Sequence, residues 1–292
     1  MGHVWDFIST WTFQPALTLV LVLVTAAYLT GSRRVSRIHP TQPWPVNHSI
    51  RFLGGIGVIV IATWGPVGSL DDDFFWAHMT QHMLLMMLAA PLLLLGEPVL
   101  MVLRVLSRGT RRRVAIPVLH SRVVRFLTHP VVSWVIFAGV LVGTHFTGFF
   151  EYALEHEAVH NFVEHPVYLG AGLLFFYPLL GTSAGSSAMP AFAKVVSLFV
   201  MMIPEAMVGF AIYMAGDVLY PHYLLVDVRP WGPSTAIADQ RLGGAIMWSS
   251  AMVFDIIWIS LAVTQWIKSE ERKGIRVDAE IAAEIAAGYH SP

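Results

Sequence analysis

His78 and His82 stand four residues apart in Phe75-Trp-Ala-His-Met-Thr-Gln-His-Met-Leu-Leu-Met-Met. On an α-helix that spacing stacks two imidazoles on one face, one turn apart, where both can reach one metal ion. A second group, His156, His160 and His165, follows further along the chain, with His145 before it and His222 after it. Methionines at 79, 83, 86 and 87 surround the first pair, and Met79 and Met83 are themselves one turn apart. Imidazole and thioether together, in a chain with no Cys, point to copper sooner than to an iron–sulfur cluster or a structural zinc site. Met79 and Met83 would favour the cuprous state.

Three other chemistries stay open at this level. His156-Glu157-Ala158-Val159-His160 matches HExxH, in which two helical histidines hold zinc and the glutamate activates water. A membrane-embedded zinc-dependent hydrolase is therefore the enzymatic alternative. Helical histidines also serve as axial ligands of haem, but two on one helical face cannot take opposite sides of one iron, so such a pair would be split between helices. The third alternative is a metal-free scaffold whose histidines only form hydrogen bonds at the membrane surface.

The elements that must carry these residues are membrane spans. The chain has 292 residues, 55% of them hydrophobic and 13% charged, with a mean hydropathy of +0.62; soluble domains carry about 25% charged residues. A hydrocarbon core of about 30 Å asks for about 20 mainly apolar residues per helix. Seven stretches meet this, at 15–31, 50–68, 75–96, 130–148, 164–182, 192–215 and 242–267, which predicts an all-α, polytopic membrane protein with seven transmembrane helices. Of the 18 Lys and Arg residues, all but Arg229 and Arg241 fall on the side of the first, third, fifth and last connections. The positive-inside rule then places the N-terminus outside and the C-terminus in the cytoplasm. On this topology both histidine groups lie at the outer face.

The first apolar run lacks a basic start and a small-residue cleavage site, so it reads as a retained helix. Residues 1–268 form the membrane domain, with a basic segment at 99–129 that reads as one or two amphipathic helices on the inner surface. Residues 269–292 form a polar cytoplasmic tail. Net charge is −1, and neither a phosphate-binding glycine loop nor a basic–aromatic stripe is present, which argues against nucleotide and nucleic-acid partners. Asp71, Asp72 and Asp73 precede the third span, where the helix dipole favours carboxylates. Glu205 and Asp255 fall near mid-membrane, where a charge costs several kcal/mol unless it is neutralised or paired. Glu205, after Pro204, reads either as part of a metal or proton path or as a protonated carboxyl bonded to a neighbouring helix.

These residues resemble the CtaG-type cytochrome c oxidase assembly proteins over roughly residues 50–267. The matching pieces are His78-Met-Thr-Gln-His-Met-Leu-Leu-Met-Met with Pro91 and Gly96, His129-Pro130 with Trp134, His160-Asn-Phe-Val-Glu-His165 leading to Pro178, Pro204-Glu205 with Gly209, Tyr220-Pro221 with Tyr223, and Asp239-Gln-Arg-Leu-Gly-Gly244 with Met247-Trp248. Phe176-Tyr177 departs from the family's aromatic pair, where Trp is expected. The resemblance implies a seven-helix bacterial membrane protein that helps mature the copper centres of a haem-copper oxidase, acting on oxidase subunits and receiving copper from a donor protein. It implies transfer in place of bond-making, and so no enzyme. It also implies a metal set of His78, His82, His160, His165 and His145, with Glu164, Glu205 and Asp239 as intramembrane polar support, and it sets His156 aside.

Overall fold

Lipid offers backbone amides no water, so a spanning chain must satisfy them internally. The computed structural model, described over residues 7, 9–180 and 189–288, does so with helices alone; no strand occurs among the described residues. The elements are α1 (Pro15–Ile38), α2 (Val46–Thr63), α3, α4 (Pro98–Val105), α5 (Pro130–His145), α6 (Phe149–Glu155), α7 (His165–Leu180), α8 (Ala191–Met214) and α9 (Ala236–Gly288). Helix α3 begins as Phe75–Met83, passes through a wide π turn at Leu84–Ala89 and finishes as Ala90–Leu95.

Among the described residues, five stretches are long and apolar enough to cross a membrane: Pro15–Ile38, Val46–Thr63, Phe75–Val105, Ala191–Met214 and Ala236–Ile285. Helices α5 and α6 make a sixth if counted together, bent by 65° at their junction. Helix α7 has 16 described residues, and the last part of the predicted 164–182 stretch lies outside the described residues. Leu19, Val22 and Leu23 of α1 and Phe199, Ile203 and Phe210 of α8 are exposed, as a lipid-facing surface requires.

The principal core gathers α3, α5, α7, α8 and α9 around Met79, Phe137, Phe175, Met201 and Met247. Helices α1 and α2 attach at its edge, where Tyr28 stacks on Phe52 at 3.8 Å and donates its hydroxyl to the Gly96 carbonyl. Pro91 has no amide to bond the carbonyl of Met87, four residues back; the indole of Trp258 on α9 supplies that donor at 3.0 Å. Gly172 lets α7 lie directly on α3: a Cβ there would sit 2.7 Å from the Met86 carbonyl oxygen.

The basic stretch at 99–129 holds a continuous helical run from Arg108 to Leu119, widened by a π turn at Arg111–Ala115, and a second short helix at Arg122–Leu127; Ser107 and Ser121 cap the two starts by accepting the Thr110 and Val124 amides. The polar segment after 269 continues α9 to Gly288. Its Ala- and Glu-rich composition favours helix, supported by pairs such as Lys273–Glu270 at 2.8 Å.

Candidate metal centre

The N-terminus of α3 has no side-chain cap of its own. Asp239, in the first turn of α9, supplies one through space: Oδ2 accepts the Phe75 amide and Oδ1 the Trp76 amide, both at 3.0 Å. Arg229 donates to the same carboxylate at 2.9 Å and also to the Tyr223 carbonyl. This fixes the turn that projects His78 and His82 into the bundle. Asp239 thus supports the histidines by holding their helix, without touching their rings.

The second half of the site comes from the approach to α7. Glu157–Val159 leads into a π turn at His160–Glu164. On an ideal α-helix, residues five apart lie about 140° around the axis from each other. A π turn has an i to i+5 repeat, which brings them back towards one face. The rings of His160 and His165 accordingly approach to 4.4 Å.

Glu164 is where the two halves meet. Its Oε1 lies 3.3 Å from His78 Nε2 and 3.6 Å from His82 Nε2, and its Oε2 lies 2.6 Å from His160 Nδ1. The other nitrogen of His160, Nε2, lies 3.0 Å from Asp71 Oδ2. Gln81 ties the set together by donating to Asp71 Oδ2 at 2.7 Å and to the Ala62 carbonyl at 3.1 Å, while its Oε1 meets His165 Nε2 at 2.8 Å. All of these side chains are buried. Within each of two sets, Asp71–His160–His165 and His78–His160–Glu164, one donor atom per residue lies within 4.8 Å of the others, a spacing that could hold an ion.

Burial alone would push the His160 pKa down, yet its bonds to Asp71 and Glu164 outweigh this and raise it to about 10. Burial likewise presses Asp71 upward, and His160 more than offsets it, leaving the carboxyl below its ordinary value. Without an ion, then, a doubly protonated His160 bridges two carboxylates.

Several imidazole nitrogens are not satisfied in this way. Both ring nitrogens of His82, Nδ1 of His78 and Nε2 of His145 are buried without a hydrogen-bond partner among the described residues. An orphaned buried polar group costs about 1–3 kcal/mol. His145 is held by a 2.7 Å bond from Nδ1 to the Leu141 carbonyl, and its ring lies 6.1 Å from that of His82. The phenol ring of Tyr168 covers His82 at 3.8 Å, and Phe150 packs on His78 at 4.6 Å, so the pocket is walled by aromatic rings.

Of the residues expected from sequence, His78, His82, His160, His165 and Glu164 converge, with His145 at the edge. Met79 and Met83 lie in the apolar core, with Met79 turned towards Gly243 on α9. Glu205 is buried beside Asp255 between α8 and α9, and no hydrogen bond or ion pair among the described residues joins it to the histidines. His156 is exposed, stacked on Tyr152, and caps the helix in an extended conformation (φ −130°, ψ 90°). It does not share a helical face with His160, and Glu157 is exposed; the HExxH spacing therefore does not form the helical pair that a zinc site of that type needs. His222 ties the loop after α8 to the Asp72 carbonyl. Sequence reasoning missed Asp71 and Gln81. Gln81 stands between the two histidines of the motif, which was a usable signal, whereas nothing local distinguished Asp71 from Asp72 and Asp73.

Residues 26–269 match the family described as cytochrome c oxidase caa3 assembly factor (Caa3_CtaG). An uncharacterised protein of Mycobacterium leprae, ML1998, is 30% identical over 278 residues, covering 93% of this chain and 42% of that protein. Another, Mb0105 of Mycobacterium bovis, is 31% identical over 287 residues, covering 96% of this chain and 42% of its own length. The chain thus spans about two-fifths of the length of these relatives. No solved structure matches it.

Proposed function

The chain belongs to the cytochrome c oxidase caa3 assembly factor family, and from that premise we propose that it carries copper for a haem-copper oxidase. The ion is cargo, held by His78, His82, His160 and Glu164, with His165 and His145 beside them. In this reading the chain crosses a bacterial plasma membrane seven times with its N-terminus outside and the cluster at the outer face; residues 1–268 form the membrane domain and the remainder a cytoplasmic tail. Oxidase subunits take the ion, and a copper donor protein supplies it.

The observation that supports this reading best is the set of orphaned imidazole nitrogens around a buried carboxylate. A purely structural histidine cluster would pair those nitrogens with protein groups. A bound cation takes one nitrogen from each ligand ring, as the orphaned His82 Nε2 at 3.6 Å from Glu164 Oε1 would allow, and the Glu carboxylate offsets part of its charge. Imidazole with carboxylate suits cupric copper and also zinc; the family's role in oxidase assembly favours copper. The protein's own contribution is to hold the ligands apart from water and to position them. Tyr168, Phe150 and Phe75 exclude solvent, Gln81 orients Asp71 and His165, and Asp239 fixes the helix that carries His78 and His82.

Elemental analysis of purified protein tests this. Wild type should bind copper tightly, and the double variant His78→Ala/His82→Ala should lose it. Glu157→Gln and His156→Ala should keep it. Zinc in the wild type with loss of function in Glu157→Gln would favour the hydrolase, a Soret band would favour haem, and no metal after loading would leave the scaffold reading.

A further inference from the structure

We propose that the cluster is a two-ion site in which His160 bridges an outer position, formed with Asp71 and His165, and an inner position, formed with His78 and Glu164. This rests on the metal-binding reading above and goes beyond it. The two ring nitrogens of His160 face different carboxylates, Nε2 at 3.0 Å from Asp71 and Nδ1 at 2.6 Å from Glu164. Each carboxylate belongs to a separate set of donors close enough to share an ion, and His160 is the one residue common to both sets.

The two positions also differ in depth. Asp71 is 7% and His165 6% exposed, whereas His78 and Glu164 are fully enclosed. Asp72 and Asp73, exposed beside Asp71, draw cations to the outer position. The inner position has the unpartnered nitrogens of His82 next to it, with His82 Nε2 3.6 Å from Glu164 Oε1. An ion therefore meets the more accessible set first and the more enclosed set second. His160 is the shared ligand between them.

An imidazole binds two cations only when both ring nitrogens offer lone pairs, as imidazolate. Full loading therefore leaves no ring proton on His160, and what it carried passes to solvent. No electron moves, and the ions stay cupric.

The test uses the full chain in detergent micelles, titrated with cupric ion, freed of excess and measured by elemental analysis and electron paramagnetic resonance. Two ions per chain are expected at saturation. The first equivalent should give an isolated cupric signal, and the second should reduce the signal per copper through coupling across the His160 ring. Asp71→Asn and Glu164→Gln should each halve the stoichiometry, with the remaining copper giving its full isolated signal. Saturation at one ion overturns the two-position inference while the copper-binding reading stands; no bound copper sinks both. Two ions without coupling overturn the bridge, and that measurement needs no variant to fold.

Discussion

Replacing Asp239 with Asn tests how the site is held without touching any proposed ligand. Asp239 is fully buried and accepts three bonds at 2.9–3.0 Å, two from the first amides of α3 and one from Arg229. The Arg229 side chain is only 5% exposed. Asn keeps one acceptor but turns an NH2 towards a donor and leaves the guanidinium uncompensated. Breaking a buried pair from one side costs about 3–5 kcal/mol, most of it from the stranded charge. The expected outcome is that loss of unfolding free energy, followed by helicity during titration with denaturing detergent in mixed micelles. The double variant Asp239→Asn/Arg229→Gln removes the stranded charge and should recover at least about 1 kcal/mol relative to the sum of the single losses. A single-variant loss under about 0.5 kcal/mol, or strictly additive losses, would refute the argument that this pair anchors α3.

Trp258→Phe keeps the ring but removes the donor to the Met87 carbonyl, and should cost about 1–3 kcal/mol in the same assay; no change would show that the Pro91 break is satisfied otherwise. Gly172→Ala places a methyl 2.7 Å from the Met86 carbonyl oxygen and 2.9 Å from the Ala90 Cβ, so it should cost about 1–3 kcal/mol and weaken copper binding by pushing α7 off α3. Gly170→Ala, which faces open space, is the control and should bind as wild type. Because the chain has no Cys, single cysteines report topology cleanly: in intact cells, Asp73→Cys should react with an impermeant maleimide and Glu271→Cys should not. The reverse pattern would invert the proposed orientation.

Much of the framework was legible from the residues themselves. Hydropathy marks apolar helices because lipid selects composition segment by segment, and five of the described stretches meet that requirement. The four-residue interval between His78 and His82 was equally readable, since an α-helix turns that spacing into one face; the rings lie 4.1 Å apart. The order of motifs also placed His160 with His165 and left His156 aside.

The convergence itself was decided in three dimensions. Helical phase alone would have pointed His160 and His165 well apart; the π turn at His160–Glu164 realigned them. Asp71 is distinguished from its two acidic neighbours only by His160 and Gln81, which come from 89 and 10 residues away. Glu205, equally conspicuous as a mid-membrane acid, went to Asp255 because packing between α8 and α9 brings those two together. Hydropathy and helical spacing act between neighbours in the chain, so sequence determines them directly. A polyvalent site depends on which distant faces pack and in what backbone phase, and only the tertiary structure settles that.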